Sequence, residues 1–358
     1  MGGKRPGGPI RVAYFPMHPS DDRATDTFCT LPANRLPAGE FEGTVFAPSS
    51  PSLRRRMYRG KRMGWQVSAL LYWYLIVLPR RIVQIVSASR YDVIFVQRSM
   101  FRWSSPPVLE WITSKVLRKP LVYHLDDGIW VEARRRWSEL RCSMATTVVT
   151  GNDLVADFVT CSGGSVSRIE YSIDVTAYPV KVHQDTSPVV IGYTGIDPRH
   201  HLEPMSRAIE DVCRATGARL GIVGGMSRPE LGGLDRYLDW TAWDENDQYS
   251  WVRKFDIGVM PLTDTELHRL KEPMKVKEYM AAGLPQVVSP VGHNLNVITD
   301  GEEGFFADGP DQWRERLTEL VNDPALRSQM GARGRQLVLE KYDLPRLLDE
   351  LAALFRSL

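Results

Sequence analysis

Short apolar runs recur along the chain in two series, and stretches with helical spacing lie between them. Continuous runs of this kind are typical of strands that are buried on both faces of a parallel sheet. The first series comprises residues 10–15, 91–97, 120–124, 146–150 and 165–171, and the second comprises 189–193, 219–223, 256–261 and 285–289. The pattern predicts repeated β-α units and therefore an α/β fold.

A polar, proline-containing stretch separates the two series and interrupts their periodicity. A chain of 358 residues also exceeds what one hydrophobic core usually serves. We therefore expect two Rossmann-like domains facing across a cleft, where the carboxyl ends of the strands would bind ligands. The predicted divisions are an N-terminal acceptor domain at 1–180, a linker at 181–188, a donor domain at 189–340, and a closing helix at 341–358 that packs back toward the N-terminal domain.

Charge and cysteine content limit the possible partners and compartment. A formal net charge of +2 is too small to indicate a nucleic-acid partner. The four cysteines are scattered and predict neither a disulfide framework nor a zinc site. The first nine residues have no apolar core and are expected to be a loose leader rather than a signal peptide. A cytoplasmic location is the expectation.

Three charged residues between 256 and 304 have the chemistry of a nucleotide site. Lys271 and Lys275 lie four residues apart where a loop enters a predicted helix, and Glu278 follows Lys275 by about one turn. A diphosphate requires cations, and a ribose requires a carboxylate that accepts hydrogen bonds from its hydroxyls. Taken alone, this spacing equally describes a solvated, salt-bridged helix face.

The residues around these three resemble a known family. After Glu278 the chain reads EYMAAGLP, the segment DPALRSQMGARGRQLVLEKY at 323–342 is similar to the family's usual ending, and VVTGNDLVADFV at 148–159 is similar to part of its N-terminal domain. The chain resembles the retaining glycosyltransferases of family 4, the group 1 glycosyltransferases, which have the GT-B fold. The resemblance implies that Lys271 and Lys275 face the donor phosphates and that Glu278 holds the ribose.

One position departs from the family pattern. The family often has two glutamates separated by seven residues, and the first of them, which contacts the transferred sugar, falls on Leu270 here. Glu272 is near but out of register. The donor is therefore expected to be a UDP-, GDP- or dTDP-sugar whose sugar remains open, and no metal cofactor is expected.

A second candidate for phosphate binding opens the donor domain. Thr194 and Gly195 follow a predicted strand and precede a predicted helix, and Arg199 could supply positive charge. A tight strand-to-helix turn explains the glycine equally well.

Two adjacent carboxylates end a strand of the first domain. Asp126 and Asp127 follow the run at 120–124, and the resemblance associates this strand end with the transferred sugar. Either residue could stabilise developing positive charge, orient the acceptor hydroxyl or take its proton. Capping of the following helix and magnesium binding are the alternatives. We expect these two residues to be catalytic and to hold no metal.

A basic and apolar segment at 54–81 predicts contact with a membrane. Five arginines and Lys61, all between residues 54 and 62, precede an apolar run at 67–78, which Arg80 and Arg81 then close. Twelve apolar residues are too few to span a bilayer as a helix, but they suit a helix lying on anionic lipid. The alternative is a helix buried against the sheet of its domain.

The predicted function is transfer of a sugar from a nucleotide-sugar donor to a hydroxyl of a glycan or lipid-linked acceptor, with retention of configuration. The resemblance implies that no enzyme nucleophile is needed, which agrees with the lack of a convincing nucleophile and base pair in the sequence. The alternatives are a sugar-nucleotide epimerase and a non-catalytic nucleotide-sugar-binding protein. The enzyme would be cytoplasmic or peripheral on the inner face of the membrane.

Overall fold

The computed structural model describes residues 8–19, 23–58, 64–102, 104–131, 134–184, 188–195, 197–225, 227–244 and 249–358, with side chains described except at 55–58 and 64–66. These residues form two compact units. The first contains the chain up to Tyr171 together with Pro345–Leu358, and the second is Ser172–Leu344. Each unit is built on a parallel sheet with its own hydrophobic core.

The described residues of the first unit form a six-stranded parallel sheet with the order β2-β1-β3-β4-β5-β6. The strands are β1 (Ile10–Pro16), β2 (Phe41–Val45), β3 (Val93–Gln97), β4 (Leu121–His124), β5 (Thr147–Thr150) and β6 (Val166–Arg168). The central strands β3, β4 and β5 are buried along their whole length, which explains their continuous apolar sequences.

Helices cover both faces of this sheet. They are α1 (23–35), α2 (Pro51–Tyr58), α3 (64–88, with a π-helical segment Tyr72–Val77), α4 (108–116), α5 (Arg135–Met144) and α6 (Asp153–Cys161). From β2 onward each connection runs in the same direction across the sheet, so right-handed crossovers put α3 to α6 on one face and α1 on the other.

A buried arginine attaches α3 to the sheet. Arg81 is fully buried and donates hydrogen bonds to the backbone carbonyls of Pro16, Phe46 and Met100, which follow or end β1, β2 and β3. Burial lowers the pKa of Arg81 to about 9, a value at which the guanidinium is still charged at neutral pH. This arginine therefore holds three strand-end loops together and is not available to a lipid surface.

The described residues of the second unit form another six-stranded parallel sheet, in the order β12-β11-β10-β7-β8-β9. The strands are β7 (Val190–Thr194), β8 (Arg219–Val223), β9 (Leu238–Thr241), β10 (Ile257–Met260), β11 (Gln286–Val288) and β12 (Phe305–Phe306). The order reverses between β7 and β10. In open α/β sheets this reversal creates a ligand-binding crevice outside the carboxyl ends of the two strands.

The helices of the second unit are α7 (Pro198–Leu202), α8 (Ser206–Thr216), α9 (Glu266–Arg269), α10 (Met274–Ala281), α11 (Asn294–Val297), α12 (Gly309–Asn322) and α13 (Pro324–Lys341). The closing helix, α14 (Leu344–Ser357), lies in the first unit except for Leu344. Its Phe355 contacts Tyr14 and Phe95 of that sheet, with ring centroids 6.3 and 6.2 Å away.

A glycine lets α10 approach the second sheet closely. A Cβ atom added to Gly258 in β10 would lie 2.4 Å from the ring of Tyr279 in α10. The Tyr279 hydroxyl donates to the carbonyl of Val259 at 3.3 Å and accepts from the amide of Thr194 at 3.4 Å. These contacts fix α10 at the carboxyl ends of β7 and β10, where the order of the sheet reverses.

All nine predicted strands are present, and the α/β class with two Rossmann-like units is confirmed. The closing region forms two helices with the break after Lys341, and the second of them begins at Leu344, close to the start predicted for the closing helix. The sequence did not predict β2, β9 or β12. All three are edge strands, and β2 and β9 are mostly half-buried or exposed, so they lack a continuous apolar run.

Candidate functional site

The loop after β7 contains the predicted phosphate-binding residues of the second unit. Thr194 ends the strand and is buried, and Gly195 follows it directly. Gly224, after the neighbouring strand β8, has a positive φ of 128°, and a Cβ atom there would lie 2.3 Å from the carbonyl oxygen of Gly195. The two loops therefore pack backbone to backbone, which glycine alone permits.

Two lysines converge on this loop from the residues that follow β10. Lys271 and Lys275 are half-buried, and the Lys275 Nζ lies 5.5 Å from the centroid of the Tyr193 ring. Both ammonium groups lie close enough to His201 to lower the pKa of its imidazole. The structure thus brings the lysines to the carboxyl end of β7, next to Thr194 and Gly195, which gives this edge of the sheet a positive potential.

Glu278 lies on α10 and is buried. Its Oε1 accepts a hydrogen bond from the Tyr178 hydroxyl at 3.1 Å, and the Tyr178 ring contacts Tyr249 edge to face at 5.0 Å. Tyr178 precedes the second unit's first strand and was not predicted to take part in the site. Its hydrogen bond holds one carboxylate oxygen, which orients the group.

Arg199 and Glu272 pair with residues outside the group formed by Lys271, Lys275 and Glu278. Arg199 is exposed on α7 and lies 3.8 Å from Glu203, and among the described contacts it does not join the lysines. Glu272 forms a buried ion pair with Lys277 at 2.6 Å, and the Lys277 Nζ lies 4.3 Å from the Tyr342 ring centroid. Leu270, at the position of the family's first glutamate, is buried. Glu272 therefore has a structural partner within this loop and helix.

In the first unit, Asp126 and Asp127 are held by an arginine that follows the adjacent strand. Arg98 Nε donates to Asp126 Oδ1 at 2.7 Å, and its Nη2 donates to Asp126 Oδ2 at 2.8 Å and to Asp127 Oδ2 at 2.9 Å. Arg98 has a φ of 62°, which is uncommon for a residue with a side chain. The helix after this loop begins only at Arg135, and its N-cap has no side-chain hydrogen bond, so neither aspartate caps it.

The environment of Asp126 keeps its carboxylate ionised. Its side chain is 4% exposed, against 32% for Asp127. Burial by itself would raise the pKa of Asp126, but the charge and hydrogen bonds of Arg98, helped by His124, hold the pKa below its ordinary value. A carboxylate held in this way is a weak proton acceptor. Asp127 is the more accessible of the two carboxylates.

His124 ends β4 and is enclosed by aromatic rings. Its imidazole stacks on Phe28 of α1 with centroids 3.6 Å apart, and it also lies near Phe95. Burial lowers the pKa of His124 to about 4, so the ring is neutral at physiological pH.

The predicted membrane segment lies partly outside the described residues. Arg59, Lys61 and Arg62 are not described, and neither are the side chains at 55–58 and 64–66. The described part of α3 has a buried face and an exposed apolar face. The exposed face consists of Val67, Leu70, Leu71, Tyr74, Leu75, Ile82, Val83 and Val86. By length and composition alone, Val67–Ala88 could cross a membrane, although core helices of soluble proteins pass the same test.

Several residues that the structure places beside the candidate sites were not predicted from the sequence. Arg98 comes directly after the predicted strand at 91–97, so the rule that strand ends carry functional residues could have identified it. Tyr178, His201 and His268 had no such signal, because their places depend on how separate segments pack in the second unit.

Comparison with known proteins finds a family model that matches most of the second unit. Residues 188–323 match the family described as glycosyl transferases group 1, which is less than half of the chain. D-inositol 3-phosphate glycosyltransferase of Paenarthrobacter aurescens is 33% identical over 84 residues, which are 23% of this chain and 19% of that protein. The capsular polysaccharide biosynthesis glycosyltransferase CapM of Staphylococcus aureus is 23% identical over 233 residues, 60% of each chain. The chain thus spans less than two thirds of the length of these relatives.

The fold is similar over nearly the whole chain. The crystal structure of Anabaena HepE in complex with UDP-glucose has a TM-score of 0.65 at 15% identity, and the match covers 98% of this chain and 100% of that one. The two parallel sheets with their helices are therefore those of the GT-B glycosyltransferases. Residues 188–323, which lie in the second unit, are similar to the group 1 glycosyltransferases.

Proposed function

We propose that this protein is a retaining glycosyltransferase of family 4, which transfers a sugar from a nucleoside-diphosphate sugar to a hydroxyl of a glycan or lipid-linked acceptor. The proposal rests most on one arrangement: Lys271, Lys275 and Glu278 at the point where the second sheet reverses its strand order. Lysines and a buried carboxylate are the groups that bind a diphosphate and a ribose, respectively.

Each group has a separate role in donor binding. Lys271 and Lys275 face the two phosphates and neutralise the charge that grows on the leaving diphosphate. The loop at Thr194 and Gly195 brings backbone close to the same phosphates, and the Glu278 carboxylate accepts hydrogen bonds from the ribose hydroxyls while Tyr178 orients it. Arg199 is exposed and can add positive charge from α7. These cations are expected to take the place of a metal.

The first unit supplies the acceptor site and the catalytic pair Asp126 and Asp127. Arg98 holds Asp126 ionised, which suits that residue to stabilising positive charge on the sugar at the transition state. Asp127 is more exposed and is the better placed to hold the acceptor hydroxyl. In a retaining transfer without an enzyme nucleophile, the hydroxyl attacks on the face that the diphosphate leaves, and the diphosphate accepts its proton.

The acceptor is proposed to be lipid-linked, and the enzyme to be peripheral on the cytoplasmic face of the membrane. The exposed apolar face of α3 supports this proposal, and so do Val108, Trp111 and Val116, which are exposed on α4 in the same layer of the first unit. The exposed Arg80 borders the face on α3. Apolar and aromatic residues beside basic ones favour binding at an anionic lipid surface.

A thermal-shift screen tests the donor site. UDP-, GDP- and dTDP-sugars are added to the wild type and to Glu278→Ala, and at least one is expected to raise the Tm of the wild type and to have a much smaller effect on the variant. Arg346→Ala, which breaks an exposed ion pair on α14, is the control and is expected to respond as the wild type does. The donor-site assignment fails if no sugar nucleotide stabilises the wild type or if Glu278→Ala responds equally.

A further inference from the structure

Three histidine rings form a cluster at the edge of the second sheet that carries the lysines. His200 and His201 belong to α7 and His268 belongs to α9. The ring centroids lie 5.3 Å apart for His200 and His201, 5.5 Å for His201 and His268, and 6.0 Å for His200 and His268. We call these three residues the histidine cluster.

His201 is the member with an unused polar atom inside the protein. Its Nδ1 is buried, and no hydrogen-bond partner for it lies among the described residues. The hydroxyl of Tyr193, whose ring lies 6.2 Å from His201, is likewise buried and unpaired within the described part of the chain. That hydroxyl lies 2.8 Å from where a Cβ atom of Gly195 would be, so both groups border the loop after β7. Buried polar atoms usually have partners, and a bound ligand would supply them here.

The charges around His201 keep its ring neutral. Burial has the largest effect, followed by the positive charges of Lys271 and Lys275 and by the neighbouring His268 and His200, and together they lower the pKa of His201 to about 3. His268 shares a hydrogen bond of 2.7 Å between its Nδ1 and the Thr263 carbonyl, which requires that this nitrogen carry the proton. Asp197 lies near enough to Tyr193 to affect its hydroxyl, and Asp264 pairs with the exposed Arg269.

A bound diphosphate would reverse this balance. The free site places two ammonium groups beside a neutral imidazole, an arrangement that repels an added proton. Two negative phosphates between the lysines would remove that repulsion and attract a proton to the ring. An imidazolium also forms stronger hydrogen bonds to phosphate oxygens than a neutral imidazole does.

We propose that His201 is a further donor-binding residue, which takes up a proton from solvent when the diphosphate of the sugar nucleotide binds beside Lys271 and Lys275 and then donates a hydrogen bond to a phosphate oxygen. This inference rests on the proposed function. It also specifies that His201 binds the diphosphate of the donor and not its base or sugar.

Proton uptake fixes how donor affinity depends on pH. Binding raises the pKa of His201 from its low value in the free protein, so the bound form holds more protons than the free form between the two values. Affinity is therefore highest below the pKa of the free form, decreases as the pH rises between the two values, and is lowest above the pKa of the bound form. A donor site made only of lysines and Glu278 would show little change across the neutral range.

Isothermal titration calorimetry with UDP-glucose measures the uptake directly. The diphosphate of this probe is esterified at both ends and keeps its charge across the neutral range. If the thermal-shift screen selects another sugar nucleotide, that compound is the probe. Titrations at about pH 6 in buffers of different ionisation enthalpy give the number of protons from the dependence of the observed enthalpy on the buffer, and about one proton per donor is expected.

Two matched variants test whether His201 is the residue that takes up the proton. His201→Gln is expected to abolish the uptake and to weaken donor binding about tenfold at about pH 6, with a smaller loss at about pH 8. His200→Gln, which changes an exposed ring of the same helix, is expected to keep the uptake. The inference is overturned if the wild type binds the donor with no buffer dependence, or if His201→Gln keeps the uptake. Failure of every sugar nucleotide to bind would instead refute the proposed function.

Discussion

At the scale of single residues, Arg98 holds two adjacent carboxylates of the first unit, those of Asp126 and Asp127. It forms two hydrogen bonds to Asp126 and one to Asp127, and the pair with Asp126 is almost fully enclosed by protein. Removing one partner of a buried ion pair leaves the other charge buried without compensation. The consequences for stability and for ionisation can both be measured.

The variant Arg98→Ala is expected to lower the free energy of unfolding by about 3 kcal/mol at neutral pH. In the wild type the pKa of Asp126 lies below its ordinary value of 3.8, so the stability from this pair is present at neutral pH and is lost as the pH falls through the lowered value. In the variant, burial raises the pKa of Asp126 instead. The difference between the two proteins should therefore shrink in acid, where Asp126 is protonated in both.

Denaturant unfolding across a pH series makes this comparison. Arg346→Ala, which breaks an ion pair whose side chains are 56% and 32% exposed, serves as the control and should change stability by less than about 0.5 kcal/mol. Equal effects of the two substitutions would show that the Arg98 pair contributes no more than a surface pair.

Single residues also show which parts of the candidate site can be predicted from the sequence. Lys271, Lys275 and Glu278 were predicted from their spacing and their neighbours in the sequence, because one loop and one helix carry all three. Tyr178 lies a hundred residues before Glu278 and bonds to it only after the second unit has folded. His201 and His268 similarly meet across two short helices. Such pairs have no local pattern from which they could be predicted.

At the scale of secondary-structure elements, the position of α10 depends on Gly258. The helix approaches β10 so closely that a methyl group at Gly258 would overlap the Tyr279 ring. Since Tyr279 is fully buried and is bonded to both β7 and β10, it cannot move aside without breaking those contacts.

Gly258→Ala is therefore expected to lower the stability of the second unit by about 2 kcal/mol, as overpacking of a well-packed core does. It should also weaken sugar-nucleotide binding, because α10 carries Lys275 and Glu278. Thermal unfolding with and without donor measures both effects. The control is Gly233→Ala, whose new methyl group would meet only the movable carboxylate of Glu210. If Gly258→Ala matches this control in both measurements, the close approach of α10 contributes neither to stability nor to donor binding.

The exposed face of α3 gives a second prediction about an element. Leu75 and Val86 are 68% and 69% exposed, so Leu75→Glu with Val86→Glu should barely change stability. If this face lies on lipid, the double variant should bind vesicles containing anionic phospholipid at least about tenfold more weakly, because burying each side chain contributes about 1.5 kcal/mol or more.

Sedimentation with vesicles measures this binding. Val182→Glu changes a residue of the second unit that is 71% exposed, and it is expected to bind as the wild type does. Equal binding by the double variant and Val182→Glu would exclude α3 as the contact with lipid.

The elements also explain which strands the sequence could predict. Every strand in the interior of a sheet was predicted, because burial on both faces requires a continuous apolar run. The three that were missed, β2, β9 and β12, lie at sheet edges, and β12 has only two residues. Their positions follow from pairing with a neighbour and not from their own composition.

At the scale of the whole molecule, sequence similarity and fold similarity to known proteins cover different shares of the chain. Similarity to group 1 glycosyltransferases is concentrated in residues 188–323, whereas the GT-B fold covers nearly the whole chain. The proposed donor-binding residues Lys271, Lys275 and Glu278 lie in one short segment, so their spacing can be seen in the sequence. The first unit shares the fold, but the groups proposed for it lie on a loop and on a helix face, and so the acceptor is proposed only as a class.

The central claim is that this chain transfers a sugar and does not merely bind its donor. The most direct test incubates the wild type with the labelled sugar nucleotide selected by the thermal-shift screen and with a membrane lipid extract. The account predicts a labelled product in the lipid fraction, together with release of the nucleoside diphosphate, and loss of both with Glu278→Ala. Donor that binds tightly but yields neither product nor nucleoside diphosphate with any lipid or glycan acceptor would contradict the account and indicate a nucleotide-sugar-binding protein.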